Sequence, residues 1–386
     1  MIKVVSRQYG LSEHWDFHPP VGIRLVDVRT IDELEQHADE WNELFGQTDR
    51  LSPLLSYPWM HAFFKYLVHS PEQWLCLFAY ENDRLIGILP LVSSYAVSVF
   101  GFSLRLFKLP YHFAHTSGTD CIARAGHEDV FGLFMNYLNA IPRSIPCLSL
   151  KHVPDHYASV RYLTAGRHRL SFVQKPAGTE GVLPLPADGK TYLSGLSAKL
   201  RRNLRHAGRE LDKLPEVRFR LFETGRSATE NTRRFLDVES RGWKGERKSA
   251  VKYFTGCADM FEDAAAGLAE SGLMEFSFLE SGDRTLAAHY AMRSGRTLYI
   301  LKMAYDEACS AASPGNLLML RVIQAAADSG RFDEINFVSD PPLLAKWNVQ
   351  HRPLHHLVVF PDIPLIAPLL KAVIASGKIH SFDIER

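Results

Sequence analysis

The chain has 386 residues, 46% hydrophobic and 23% charged, with a formal net charge of +1; these are ordinary values for a soluble globular protein, at a length that favours two domains of roughly 150–200 residues each. So small a net charge excludes a whole-molecule field drawing the protein to nucleic acid or membrane, and any electrostatic recognition must come from a local patch. The five cysteines, Cys76, Cys121, Cys147, Cys257 and Cys309, stand singly, without a C-x-x-C pair or a His at metal-ligand spacing, which suits a reducing compartment and gives no reason to expect a metal.

At the start, MIKVVSRQYGLSEHWDF lacks the apolar core of a signal peptide, and no apolar stretch reaches the length of a membrane span; a cytoplasmic location without an integral span is expected. PWMHAFFKYLVHS reads as a helix, followed by a hairpin over Leu75–Val92 that turns at Glu81-Asn82-Asp83. HTSGTD, His115 to Asp120, places a His and an Asp near a predicted strand end, where either a plain turn or an acceptor-side element would fit. Val173–Lys190 is rich in Pro and Gly with little periodicity. It is the expected boundary, giving domains 1–180 and 181–386.

The second half opens with LSAKLRRNLRHAGRELDKL, where Leu196, Leu200, Leu204, Ala207, Leu211 and Leu214 form an apolar stripe. Lys199, Arg201, Arg202, Arg205, Arg209 and Lys213 cover the other faces, as a solvated basic surface or as a cationic wall for a phosphorylated ligand. Glu239 and Trp243 are four apart on a predicted helix, hence on one face, and an acid beside an indole suits a sugar or amine pocket; Lys244-Gly245 is a natural stop. A helix and hairpin then recur. Met274–Met292 turns at Ser281-Gly282-Asp283, and with an offset of 200 Phe78 meets Phe278, Asp83 meets Asp283 and Arg84 meets Arg284, which reads as an internal duplication. Thr297–Tyr305 follows as a third strand, then a helix from Ser313, a strand at Glu334–Ser339, a short helix or turn at LLAKWNVQ and a strand at His355–Phe360. This β-β-β-α-β-α-β order is an antiparallel meander that becomes mixed at its helical crossover. The tail Ile363–Ile379 is expected to be a packing helix, with surface association with a membrane or partner as the alternative.

Three features carry candidate chemistry. Ser313-Pro314-Gly315 starts a helix whose first amides and dipole suit a phosphate or carboxylate, or simply cap the turn. His289 lies mid-strand on the face of Ala287 and Ala291, small neighbours that leave room for a substrate, as a base or as a hydrogen-bonded core residue. Asp306 directly follows the third strand, as a base, an amine holder or a loop cap. Walker, G-x-G-x-x-G, H-E-x-x-H and G-x-S-x-G patterns are absent from the sequence.

The meander, the strand ending at MAYDE, the S-P-G helix start and the strands after it resemble the second half of a GNAT acyltransferase domain. The resemblance implies that Ser313 and the amides of Gly315, Asn316 and Leu317 hold the pyrophosphate of acyl-CoA, while the strand edge at Met303 and Tyr305 pairs with its pantetheine. Of the usual Gln/Arg-x-x-Gly-x-Gly/Ala loop, the window Ser310–Gly315 keeps the final Gly. LSAKLRRNLRHAGREL, VESRGWKG, LAAHYAMRSGRTLYILKMAYDEACSAASPGNLL and LLAKW, in that order, are similar to the Fem-like acyltransferases. These are tandem-GNAT proteins that include peptidoglycan aminoacyl transferases and the CelD-type proteins of exopolysaccharide biosynthesis. An α/β (α+β) fold of two GNAT-like domains is implied, each a mixed, largely antiparallel sheet flanked by helices.

His289, Asp306 and Glu239 are the catalytic candidates, and the resemblance adds Lys346, at a position where Fem-type enzymes keep a lysine able to stabilise the oxyanion or contact the acyl donor; Trp243, Lys244, Arg201, Arg205 and Trp347 are the candidates around the acceptor. The expected reaction moves an acyl group from acyl-CoA, without a metal, to an amino or hydroxyl group of a sugar, polysaccharide precursor or small metabolite in the cleft between the domains. Direct transfer is favoured because no cysteine has an activating neighbour in sequence. An aminoacyl-tRNA donor met by the basic helix, or a non-catalytic binding module, are the alternatives. Oligomeric state is left open, a homodimer among the options.

Overall fold

The two hairpins are the pivots of the fold. In the computed structural model, which describes residues 2–3, 17–48, 51–68, 74–99, 102–112, 119–141, 144–166, 169–223 and 227–376, Asn82 and Asp83 take φ of 48° and 62°. A two-residue type I′ turn requires such a left-handed pair. The elements run β1 (Ile2–Lys3), β2 (Ile23–Val28), α1 (Ile31–Glu35), α2 (Ala38–Gly46), α3 (Tyr57–Leu67), β3 (Trp74–Glu81), β4 (Arg84–Val99), β5 (Phe102–Lys108), β6 (Ile122–Ala123), α4 (Val130–Asn139), β7 (Ile145–Pro154), α5 (Ala158–Thr164) and β8 (Leu170–Pro184). They continue α6 (Gly189–Gly195), α7 (Ala198–Leu211), β9 (Val217–Glu223), α8 (Ala228–Arg241), α9 (Trp243–Glu246), α10 (Cys257–Glu270), β10 (Met274–Ser281), β11 (Arg284–Ser294), β12 (Thr297–Tyr305), α11 (Pro314–Ser329), β13 (Glu334–Asn336), β14 (Gln350–Pro361) and α12 (Ile366–Ala375).

The chain divides into two compact units, Met1–Gly178 with Pro353–Arg386, and Thr179–Arg352. This differs from the sequence expectation in two ways. The Pro/Gly-rich stretch is a strand as far as Pro184, and its glycines serve the backbone: Gly178 sits at φ 86°, and a Cβ on Gly181 would lie 2.9 Å from Leu344. The C-terminal tail belongs with the first unit, where Ala367, Leu370 and Ile374 of α12 pack with Leu104, Leu106, Val358 and Phe360.

Each unit is a mixed sheet flanked by helices, as the expected fold class requires. Strand order is β2-β3-β4-β5-β7-β14 in the first and β9-β10-β11-β12-β13-β8 in the second. In each, one inner pair is parallel, β5 with β7 and β12 with β13, and the strand beyond it is antiparallel. The hairpins share a finer mark. A bulge falls between Ala79 and Tyr80 and between Leu279 and Glu280, again 200 positions apart.

Around the second sheet, the α7 stripe Leu200, Leu204, Ala207 and Leu211 packs with α11 over Ala287, Ala291 and Ile300. Tyr290 points to the other face, where its ring meets Phe235 of α8 and Phe261 of α10. No described helix is long and apolar enough to cross a membrane.

Candidate active site

The parallel pairs of the two units differ in length. β5 pairs with β7 through Lys108, its last residue, whereas β12 pairs with β13 only over Thr297–Tyr299. Asn336 ends the second pairing. Its Oδ1 accepts the Val338 N–H at 2.7 Å, its Nδ2 donates to Glu180 Oε2 at 3.0 Å, and Val338 turns at φ 60°; beyond it the chain parts from β12 while the Phe337 N–H still donates to the Gly181 carbonyl of β8 at 2.9 Å. The edge of β12 from Ile300 to Tyr305 therefore keeps backbone donors and acceptors without a β13 partner.

At the end of that edge lies the start of α11. Ser313 is left-handed, at φ 41° and ψ 53°, and its side chain does not cap the helix. Its carbonyl instead accepts the amides of Asn316 at 3.0 Å and Leu317 at 3.2 Å. Two of the three amides expected to hold a phosphate are thus already bonded, and Pro314 has none to give. That of Gly315 alone is not taken up by Ser313. Gly315 lies against Tyr305, with its Cβ position 3.4 Å from the ring.

On the opposite face of β12 a charged cluster is buried. Glu239 of α8, 3% exposed, accepts from Lys244 Nζ at 2.8 Å and from the Val251 N–H at 2.8 Å. Lys302 Nζ of β12 lies 3.8 Å from the same carboxylate. Burial raises the Glu239 carboxyl, but the charges of Lys302 and Lys244 and the Lys244 and Val251 hydrogen bonds outweigh it and hold it below its ordinary value. Burial takes Lys302 the other way, down to about 8 from 10.5, with Glu239 opposing the fall. Glu239, Gly242, Lys244, Met303, Ala304, Tyr305 and Glu307 line a small pocket at the strand's end. The arrangement leaves an extended, amide-bearing ligand an edge to pair with and sets a buried cluster of charged groups beside it.

Residues 198–341 match the acetyltransferase (GNAT) domain family. This GNAT match covers the basic helix, the meander, α11 and β13, all within the second unit. Among curated proteins none matches the sequence significantly. Among solved structures, FemX superposes with a TM-score of 0.56 at 12% identity, over 87% of this chain and 98% of its own. The C-terminal domain of a putative lysylphosphatidylglycerol synthetase from Agrobacterium fabrum gives 0.52 at 11%, over 89% and 97%. A conserved protein of unknown function from Bacteroides thetaiotaomicron gives 0.50 at 11%, over 88% and 99%. At such identities the likeness is one of fold.

Within the GNAT-like unit the remaining expected residues scatter. His289 pairs with Met303 across the sheet, is 2% exposed, and burial pushes its imidazole down to about 3; its Nδ1 has no partner among the described residues. A neutral ring sealed beneath α7 and α11 is a poor proton acceptor at neutral pH. Asp306 has both oxygens engaged, Oδ1 by the Ala308 N–H at 3.1 Å and Oδ2 by Arg284 at 2.7 Å and Arg241 at 3.6 Å. It caps the 3₁₀ turn Glu307–Ala312.

Three placements differ from expectation. Glu239 and Trp243 are not on one helix, because α8 ends at Arg241 and Gly242 is extended at φ −95°, ψ −166°; Gly245 allows the next turn to fold back on the Ser240 carbonyl, which a Cβ would meet at 1.9 Å. Trp347 is fully buried in the α7–α11 core, with its carbonyl accepting the Tyr192 hydroxyl at 3.0 Å, so its ring is no surface for an acceptor. Lys346 is exposed over much of its surface, with its ammonium 5.9 Å from the Trp347 ring, and the partial loss of water around that ammonium lowers its pKa. Arg201 and Arg205 line a separate groove. Of HTSGTD, His115 to Gly118 lie outside the described residues, as does the side chain of Trp243. Lys302 was missed by sequence reasoning; its signal was a lysine inside an otherwise apolar strand.

Proposed function

We propose that the second unit is an acyltransferase that moves an acyl group from acyl-CoA to an amino or hydroxyl group of a sugar, polysaccharide precursor or small metabolite, in the cytoplasm. One observation carries the reading: β12 parts from β13 after Tyr299, while the corresponding pair of the first unit stays together to its end. The opened edge fits the amides of a pantetheine arm. The start of α11 fits the pyrophosphate less well, with Gly315 as its remaining backbone donor among the three expected. The acceptor nitrogen or oxygen attacks the thioester carbonyl, the carbon–sulfur bond breaks, and the departing thiolate takes up the proton that the acceptor loses. Lys302, Glu239 and Lys244 form the proton path. His289 packs the sheet, and Asp306 positions the strand end.

The test is calorimetric titration of the protein with coenzyme A and acetyl-CoA beside Gly315→Trp, whose indole would be driven onto Tyr305. Saturable binding in the wild type, weakened at least tenfold in the variant, is expected; no binding of either ligand by the wild type would overturn the acyl-CoA reading. A second reading, an aminoacyl-tRNA donor, is favoured by the bonded Asn316 and Leu317 amides and by the exposed Lys199, Arg202, Arg209 and Lys213. Under it, binding of charged tRNA falls steeply with salt.

A further inference from the structure

We propose that a groove between α7, β9 and α11 binds a soluble amphiphile with a phosphate head and a single hydrocarbon chain. Its volume is about 420 Å³, inside the range of roughly 300–1,000 Å³ usual for small-molecule sites. Leu193, Val217, Phe219 and Leu320 supply an apolar lining, and Arg201, Arg205 and Arg321 stand in it with one carboxylate, that of Asp212.

The arginines are not spent elsewhere. Arg201 donates to the Ser194 carbonyl, a neutral partner, and Arg321 lies 5.4 Å from the centroid of the Phe219 ring. Arg205 is exposed, and among the described residues none of the three is in an ion pair. Each guanidinium has five N–H donors in a planar fork that matches a phosphate bidentately. Inorganic phosphate would leave the apolar lining wet, and a neutral lipid would leave three cations facing one carboxylate. A chain ending in phosphate satisfies both walls at once. The groove shares Leu317 with the first turn of α11, but Met303, Tyr305 and Gly315 do not line it, so its occupancy does not depend on the acyl-CoA reading.

The experiment titrates the full chain calorimetrically with dodecyl phosphate below its critical micelle concentration, and in parallel with inorganic phosphate, dodecyl maltoside and coenzyme A. One saturable site for dodecyl phosphate is expected, at least tenfold weaker in Arg205→Gln and in Arg321→Gln, both surface changes whose folding is checked by circular dichroism. Leu320→Glu, which sets a carboxylate against the apolar lining, should weaken it as much. Inorganic phosphate or dodecyl maltoside binding as tightly, affinity unchanged in the arginine variants, or displacement of dodecyl phosphate by coenzyme A would each overturn the proposal.

Discussion

Replacing Lys302 with Met removes a buried ammonium while keeping most of its length. The folded protein holds this group at about 8 against an ordinary 10.5, so the unfolded chain binds the proton more tightly. Below pH 8 the folded state carries the whole penalty, roughly 3 kcal/mol at about 1.4 kcal/mol per pKa unit. Stability then rises as pH climbs from 8 towards 10.5, because the folded state has released a proton that the unfolded state still holds. Lys302→Met has nothing to relieve. In urea unfolding, the wild type should gain roughly 2–3 kcal/mol on the variant between pH 7 and pH 10. At pH 7 the variant should be at least as stable as the wild type, since Glu239 keeps Lys244 at 2.8 Å and the Val251 N–H. Parallel pH profiles would refute the burial argument. Acyl transfer by the same variant should fall on the order of a hundredfold or more if the amine carries a proton in the reaction, and unchanged turnover would remove Lys302 from the path.

Asp306→Asn keeps an oxygen for the Ala308 N–H but removes the charge facing Arg284 and Arg241; stability should fall by about 1–2 kcal/mol, with turnover within about threefold of wild type, whereas a general base would lose on the order of a hundredfold or more. Gly189→Ala places a Cβ 2.8 Å from Cα of Gln324, backbone that cannot swing aside, and should lower stability by about 1–3 kcal/mol in urea unfolding. An unchanged midpoint would mean that α6 can lift away from α11 at little cost.

What was legible in the sequence was whatever depends on period and turn chemistry. The hairpins, the third strand and the α7 stripe follow from alternation of two, from residues that accept positive φ, and from spacing of three and four. β8 is hidden in the expected boundary because Pro and Gly weigh against a strand, and the reason for its glycines, a positive φ and a close approach to Leu344, exists only in three dimensions. The Glu239–Trp243 pairing failed by a single residue of helix, since α8 stops at Arg241. Local patterns likewise cannot tell which cation meets Glu239, because Lys302 is 63 positions away in the chain.

The identity of that cation turns on one inserted residue. Ile300 pairs with Ala291 and Lys302 with Tyr290, so Leu301 is an extra residue in the strand. Ile300 and Met303, three apart, therefore both face α7 and α11, where uninterrupted alternation would put Ile300 and Lys302 together. Without the bulge, the lysine would sit opposite His289 in the apolar layer, and Met303 would turn towards α8. The bulge inverts the last four residues of β12, sending Lys302 to Glu239 and setting Tyr305 against Gly315. The same irregularity falls just where β12 is losing β13, so a strand that must stop pairing on one edge and change faces does both within three residues. A bulge at that point is what allows one strand to present an open edge, an apolar face and a buried cation to the same end of the sheet.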